Sequence, residues 1–171
     1  MGTEATLTDA AYVPGPGLGT GVAAGGILLR LGSSRYAVAM ADVAEVAAVP
    51  GITRVPGSLP WLAGVANWRG RMLPVLDLRP LLAATTVPLA SSARLVVLAR
   101  GDVVAGVIAE AVPGVYDGEM ADPAPPPPTL TTEAAALVIG QVVDSAGPVA
   151  VLDAAAVLAL RDRVDRRRHG A

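Results

Sequence analysis

Few side chains in this sequence are able to carry out covalent or metal chemistry. The 171 residues include no cysteine and a single histidine, His169, close to the C-terminal residue. No serine stands in a Gly-x-Ser-x-Gly context, which is the nucleophile turn of the α/β-hydrolases. The carboxylates show no spacing typical of a metal site, and Gly15, Gly17 and Gly19 precede no strand–helix unit that would hold a phosphate. The sequence therefore predicts no catalytic residue, no metal and no cofactor.

Composition indicates a large apolar core and little attraction for nucleic acid. Apolar residues make up 53% of the chain, charged residues make up 16%, and the net charge is −2. Binding to nucleic acid usually needs a basic face. The chain has no apolar run of the ~20 residues that span a bilayer, and its first cation is Arg30, so the basic start of a signal peptide is missing. We expect a cytoplasmic protein without direct membrane insertion.

The most specific pattern lies between residues 64 and 78, which read GVANWRGRMLPVLDL. Two apolar runs flank a polar turn, as in a strand–turn–strand hairpin. Within the turn, Asn67 and Gly70 are residue types that tolerate the left-handed backbone of a chain reversal. Arg69 lies inside the turn, so we expect its guanidinium to point at a partner or across a surface.

This segment resembles the central signature of the CheW-like coupling domains of bacterial chemosensory arrays, G-V-x-N-x-R-G-x-x-x-P-V-x-D-L. A weaker similarity in the same order extends over roughly residues 27–160, and Trp68 replaces a more usual Leu. The resemblance implies two SH3-like five-stranded β-barrels around a common hydrophobic core. The residues that carry the central signature are Gly64, Asn67, Arg69, Gly70, Pro74 and Asp77.

The rest of the chain reads as short strands separated by Gly and Pro turns, which favours a barrel or a sandwich. Two β series of similar size follow each other, and each opens with a hairpin and closes with a helix. Asp77 is expected to cap a helix over residues 78–82, and Asp153 is expected to cap the last helix. We therefore predict a mostly β fold of two SH3-like five-stranded β-barrel subdomains that share a hydrophobic core, with short helices and a C-terminal helix.

The predicted domain organisation is simple. Residues 1–24, rich in Thr, Pro and Gly, are expected to form a flexible tail. Residues 25–160 form a single CheW-like domain, with a first barrel at about 27–88, a second at about 92–152 and a helix from 153. Residues 161–171 form a basic C-terminal tail. Neither barrel would bury enough surface alone, so a shared core is expected.

The resemblance also implies an ion pair. Glu45 and Arg69 resemble an acidic–basic pair that is a hallmark of the family, and the pair would fix the first barrel and the receptor-facing surface. Trp68 lies in the same turn and is a candidate interface aromatic. The alternative is two unrelated surface charges, which would stabilise the fold by only ~0–1 kcal/mol.

A receptor-binding groove is implied at three further positions. Val43, Gly64 and Ala111 resemble residues around the groove between the two barrels, where receptor helices dock in relatives. Small and apolar walls suit a docked helix. Considered singly, Val43 and Ala111 fit core positions at least as well, and Gly64 fits a β-bulge.

The implied function is that of an adaptor without catalysis. Proteins of the resembled family couple the cytoplasmic tips of chemoreceptors (methyl-accepting proteins) to the regulatory domain of a CheA-type histidine kinase. Such an adaptor associates with membrane-bound receptor arrays through its partners. One alternative is a CheW-like scaffold of a pilus or developmental pathway. Another is a small-barrel nucleic-acid-binding module, which two Trp, three Tyr and no Phe disfavour.

Overall fold

The computed structural model describes residues 24–82 and 84–169, and strands dominate it. The short helical elements are a 3-10 helix, Met40–Asp42, and α1, Thr132–Ala135, and the long helix is α2, Ala154–His169. The predicted mostly β class is confirmed. The part of the chain that the structure describes contains ten strands: β1 (Ala24–Leu31), β2 (Ser34–Ala39), β3 (Val43–Ala48), β4 (Leu62–Trp68), β5 (Arg71–Leu76), β6 (Arg94–Arg100), β7 (Val103–Ala109), β8 (Ala111–Glu119), β9 (Val138–Asp144) and β10 (Gly147–Leu152).

The strands form two five-stranded sheets. Sheet 1 has the order β8-β1-β2-β10-β9, and sheet 2 has the order β3-β6-β7-β5-β4. Neighbouring strands are antiparallel except for β2 with β10 and β5 with β7, which are parallel. Each sheet also has an isolated bridge at one edge strand. In sheet 2, Thr53 bridges Val65 of β4, and in sheet 1, Ala124 bridges Gln141 of β9. Each bridge adds a short stretch of extended chain to the edge of its sheet.

The predicted division of the two barrels near residue 90 is wrong. Sheet 1 combines the β1–β2 hairpin with β8, β9 and β10, whereas sheet 2 combines the β6–β7 hairpin with β3, β4 and β5. Between β7 and β8 stands only Glu110, and a hairpin needs at least two loop residues. Between β2 and β3 stand Met40–Asp42, which form a 3-10 turn without the Gly or Asn of a tight reversal. At both points the chain therefore runs on into the other sheet.

The core is shared, as predicted. The largest apolar cluster combines side chains from both sheets with α2; Leu29 and Leu31 come from sheet 1, and Leu76 and Leu98 come from sheet 2. A second cluster belongs to sheet 1 and includes Leu28. A third cluster belongs to sheet 2. Because the largest cluster needs both sheets, neither sheet has a complete core of its own.

Helix α2 begins where the sequence predicts. The Asp153 carboxylate accepts hydrogen bonds from the backbone N–H groups of Ala155 (2.9 Å) and Ala156 (3.3 Å), which is an N-cap. The helix then continues to His169, so the residues assigned from 161 onwards to the basic C-terminal tail are helical as far as the structure describes them. Its buried residues Val157 and Leu158 join the shared core.

Residues 1–23, where most of the expected N-terminal tail falls, lie outside the described residues. None of the described helices is both long and apolar enough to cross a bilayer.

Candidate functional site

The central signature folds into the β4–β5 hairpin. Trp68 pairs with Arg71, so the loop consists of Arg69 and Gly70 alone. Both loop residues have positive φ, 51° and 75° respectively, which is typical of a type I′ turn. The left-handed backbone predicted for Gly70 is present. Asn67 does not adopt it and instead remains in β4, where its Oδ1 accepts a hydrogen bond from the Gly70 N–H at 3.0 Å.

Arg69 occupies a backbone conformation that its residue type disfavours. Among the described residues, it is the only non-glycine with positive φ. The left-handed conformation costs an L-residue roughly 1–2 kcal/mol, and Asn, Asp or Gly would fill this turn position at lower cost. Local backbone preference therefore does not explain why an arginine occupies this position. The explanation must lie in the contacts of its side chain.

The side chains of Glu45, Trp68 and Arg69 meet in one group, which we call the Glu45 cluster. Arg69 Nη2 lies 3.1 Å from Glu45 Oε2, so the structure brings the expected ion pair together. The Trp68 Nε1–H donates to the same oxygen at 2.8 Å. The Arg69 guanidinium carbon lies 5.2 Å from the centre of the Trp68 ring, within cation–π range. The cluster joins β3 to β4, the two edge strands of sheet 2.

Trp68, the candidate interface aromatic, is the last residue of β4 and lies next to the two-residue loop, whereas the sequence placed it in the turn. It is half-buried, and its ring packs beside the apolar cluster of sheet 2. Its polar atom is already used on Glu45. No local pattern predicts this bond, because Glu45 and Trp68 stand 23 positions apart, on the two edge strands of sheet 2. Its role as an interface residue stays a prediction.

Val43 and Ala111 lie at the two points where the chain passes between the sheets. Val43 is the first residue of β3, opposite Leu98, and Ala111 is the first residue of β8, opposite Arg30. Both are half-buried. These positions agree with a site between the sheets, and their receptor-binding role stays a prediction.

Gly64 lies in edge strand β4, where its backbone conformation and the neighbouring Thr53 both require a glycine. Its φ is +147°, and a Cβ there would overlap the carbonyl oxygen of Thr53. Thr53 is held at this place by two backbone hydrogen bonds with Val65, at 2.8 and 2.9 Å. The pairing of β4 with β5 shifts register between Leu62 and Gly64, as at a β-bulge. The β-bulge interpretation therefore agrees with the structure.

Residues 78–82 form a single turn and not the expected helix, and in this turn the N–H of Leu82 bonds to the carbonyl oxygen of Leu78. Asp77 does cap this turn, because its Oδ1 accepts a hydrogen bond from the backbone N–H of Arg79 at 3.1 Å. The Asp77 carboxylate also binds the Arg79 side chain bidentately, at 2.9 Å from Nε and 2.8 Å from Nη2. Arg79 is buried and also donates to Glu110 (3.1 Å). The hydrogen bond to Asp77, with further support from Glu110, raises the pKa of Arg79. This group ties the end of β5 to the β7–β8 crossover.

The remaining signature residue, Pro74, lies in β5 opposite Val65. A second ion pair fixes the other crossover, where Arg100 binds the buried Asp42 at 2.6 Å from Nε and 2.9 Å from Nη2. Within the described residues, no three His, Cys, Asp or Glu side chains are grouped so as to hold a metal ion.

Comparison with known proteins gives a consistent family. The model of the CheW-like domain matches residues 25–162. Protein PilI of Pseudomonas aeruginosa is 40% identical over 90 residues, which cover 53% of this chain and 51% of PilI. Protein FrzA of Myxococcus xanthus is 36% identical over 118 residues, which cover 69% of this chain and 72% of FrzA. Chemotaxis protein CheW of Bacillus subtilis is 31% identical over 84 residues, 49% of this chain and 54% of that protein.

The fold has a solved counterpart. The crystal structure of the scaffolding protein TtCheW from Thermoanaerobacter tengcongensis matches with a TM-score of 0.68 at 25% sequence identity. The match covers 76% of this chain and 88% of that chain. By contrast, the matches with PilI and with the Bacillus protein span about half the length of those two relatives.

Proposed function

The chain belongs to the CheW-like domain family, and from this membership we propose that it is a non-catalytic scaffold of a chemosensory array. In this proposal it couples the cytoplasmic tips of chemoreceptors to the regulatory domain of a CheA-type histidine kinase. It works in the cytoplasm, beside membrane-bound receptors that it reaches through its partners. It needs no cofactor and binds no nucleic acid, in keeping with the net charge of −2.

The observation that carries the proposal is the strained arginine at the tip of the β4–β5 hairpin. Arg69 keeps a left-handed backbone, yet its side chain is 51% exposed and its ion pair with Glu45 is a surface contact. The ion pair contributes only ~0–1 kcal/mol and the cation–π contact with Trp68 ~0.5–1 kcal/mol, so together they about balance the backbone cost and leave the fold with little net gain. Backbone strain that brings little net stability is typical of functional sites. A partner-binding role accounts for it.

A second candidate pathway has a specific observation in its favour. The identity to PilI is 40%, above the 31% to the Bacillus chemotaxis protein. The same scaffold chemistry would then serve a pilus or developmental pathway, with receptors and a kinase of that pathway. The site residues and their roles are the same in both candidates.

The receptor groove at Val43, Gly64 and Ala111 remains part of the proposal. Val43 and Ala111 are the positions at which to probe it, because both are half-buried at the crossovers. A bulky replacement of Gly64 would strike the Thr53 carbonyl and damage the fold before it met a partner.

The test is the variant Arg69→Gly, because it separates binding from stability. Glycine relieves a backbone strain of ~1–2 kcal/mol and removes an ion pair of ~0–1 kcal/mol and a cation–π contact of ~0.5–1 kcal/mol, so the melting temperature should stay nearly constant. Affinity for a receptor-tip fragment or for the kinase regulatory domain should fall by roughly tenfold or more. Titration calorimetry and thermal melts on the same samples measure both.

The matched control is Arg54→Gln, which removes one exposed positive charge away from the hairpin tip. It should leave both affinities unchanged. If Arg69→Gly binds both partners as the parent does, or if Arg54→Gln weakens binding equally, the hairpin tip is not the binding surface.

A further inference from the structure

One oxygen atom organises the hairpin tip. Glu45 Oε2 accepts the Trp68 indole N–H at 2.8 Å and lies 3.1 Å from Arg69 Nη2. The indole is itself fixed, because the half-buried ring packs on the apolar cluster of sheet 2. The bond from this anchored ring therefore sets the position of the carboxylate, and the carboxylate sets the position of the guanidinium.

The ring also acts on the arginine directly. The guanidinium carbon lies 5.2 Å from the ring centre, so the ring supports the guanidinium while Glu45 holds one of its nitrogens. An unsupported arginine at a turn would sample many rotamers, and each must be given up when a partner binds. Trp68 removes that freedom before binding.

The arrangement leaves binding capacity on the outer side of Arg69. An arginine carries five N–H donors, and this side chain, which is 51% exposed, places one nitrogen on Glu45 and its guanidinium over the Trp68 ring. Arg71, which is exposed, faces Trp68 across the hairpin. A tip with two guanidinium groups fits a partner segment that carries a carboxylate.

We propose that Trp68 is a positioning residue of the partner-binding surface. It holds Glu45 and Arg69 in one arrangement, so that the outer N–H edge of Arg69 meets a carboxylate of the partner. The contact between Arg69 and a partner carboxylate rests on the proposed scaffold function. The internal side of the inference, which is the anchoring of the Glu45 carboxylate by the Trp68 indole, does not rest on that function.

The binding test is a double-mutant cycle with Trp68→Leu and Arg69→Gln. Each single variant should lower the affinity for a receptor-tip fragment by about tenfold, as truncation of an interface anchor does. If Trp68 acts through Arg69, the double variant should bind no more weakly than Arg69→Gln alone. Trp68→Phe keeps the ring without its N–H and should bind between the parent and Trp68→Leu. Additive losses, or full affinity in Trp68→Leu, would overturn the proposal.

A second measurement examines the internal side without a partner. In a Trp61→Phe background the only indole signal belongs to Trp68, because the chain has two tryptophans. Its Nε1 proton should exchange slowly with solvent, and Glu45→Gln should speed that exchange and move the resonance. Exchange as fast as in an unstructured peptide would overturn the anchoring. If the parent binds neither a receptor tip nor a kinase domain, the scaffold function fails, while slow exchange would still support the anchored cluster.

Discussion

At the scale of single residues, two glycines in corresponding places show how the backbone fixes a residue type. Gly64 lies opposite Val75 and Gly140 lies opposite Val151, each beside a register shift. A Cβ on Gly64 would overlap the carbonyl oxygen of Thr53. A Cβ on Gly140 would overlap the carbonyl oxygen of Ala124. Each glycine therefore lets a neighbouring segment reach the sheet edge.

We expect Gly64→Ala to destabilise the protein by roughly 3 kcal/mol or more, because positive-φ strain adds to the overlap. Gly140→Ala should also lower the free energy of unfolding, because its Cβ would overlap the carbonyl oxygen of Ala124. The control is Gly101→Ala: Gly101 has φ +56° but open space around the position of its Cβ, so only strain of ~1–2 kcal/mol applies. Urea unfolding measures all three, and equal losses at Gly64 and Gly101 would contradict the role given to the Thr53 carbonyl.

The sequence predicted residue types at the hairpin tip better than their roles. Asn67 and Gly70 mark the turn, as expected, but Asn67 supports it with its side chain while Arg69 takes the left-handed backbone. The pairing of Trp68 with Arg71 decides this, because it leaves only two loop residues. Arg79 was missed altogether, since its two carboxylate partners come together only in the folded chain.

At the scale of elements, the sequence predicted strands and the C-terminal helix but not which strands pair. Apolar runs and Gly turns are local signals, so the β4–β5 and β6–β7 hairpins could be predicted. The choice of partner sheet depends on the two crossovers, at Met40–Asp42 and at Glu110. The local backbone preferences of the residues at these two crossovers do not predict that the chain continues into the other sheet.

Helix α2 offers a direct test at this scale. Asp153→Ala removes the side chain that accepts the N–H groups of Ala155 and Ala156. The free energy of unfolding should fall by ~1 kcal/mol, the usual contribution of an N-cap. Asp153→Asn keeps an acceptor of equal capping strength and should stay within a few tenths of a kcal/mol of the parent. Chemical unfolding would contradict the cap if the two variants were equally stable.

At the scale of the whole molecule, the chain is two similar halves that have exchanged their hairpins. The first half contains β1–β5 and the second contains β6–β10, and each sheet takes its hairpin from one half and its other three strands from the other. The largest apolar cluster also needs both halves. Cooperative folding of the entire chain follows, since neither half contains a complete sheet.

This interleaving predicts how a divided chain behaves. A cut after Leu89, in an exposed connection, separates the two halves without removing a strand. Neither fragment alone should show a dispersed amide spectrum, because each lacks strands of both sheets. An equimolar mixture should recover the spectrum of the intact protein. A dispersed spectrum from either fragment alone would mean that one half can form a barrel by itself.

The central claim is that this chain joins two partners, and one measurement tests it most directly. The intact protein is mixed with a receptor-tip fragment and with a kinase regulatory domain, first singly and then together, and the complexes are sized by analytical ultracentrifugation. We expect two binary complexes and one ternary complex that contains all three chains. Arg69→Gly should weaken the ternary complex without loss of the folded monomer. Binding to neither partner, or binding in which one partner displaces the other, would contradict the scaffold function.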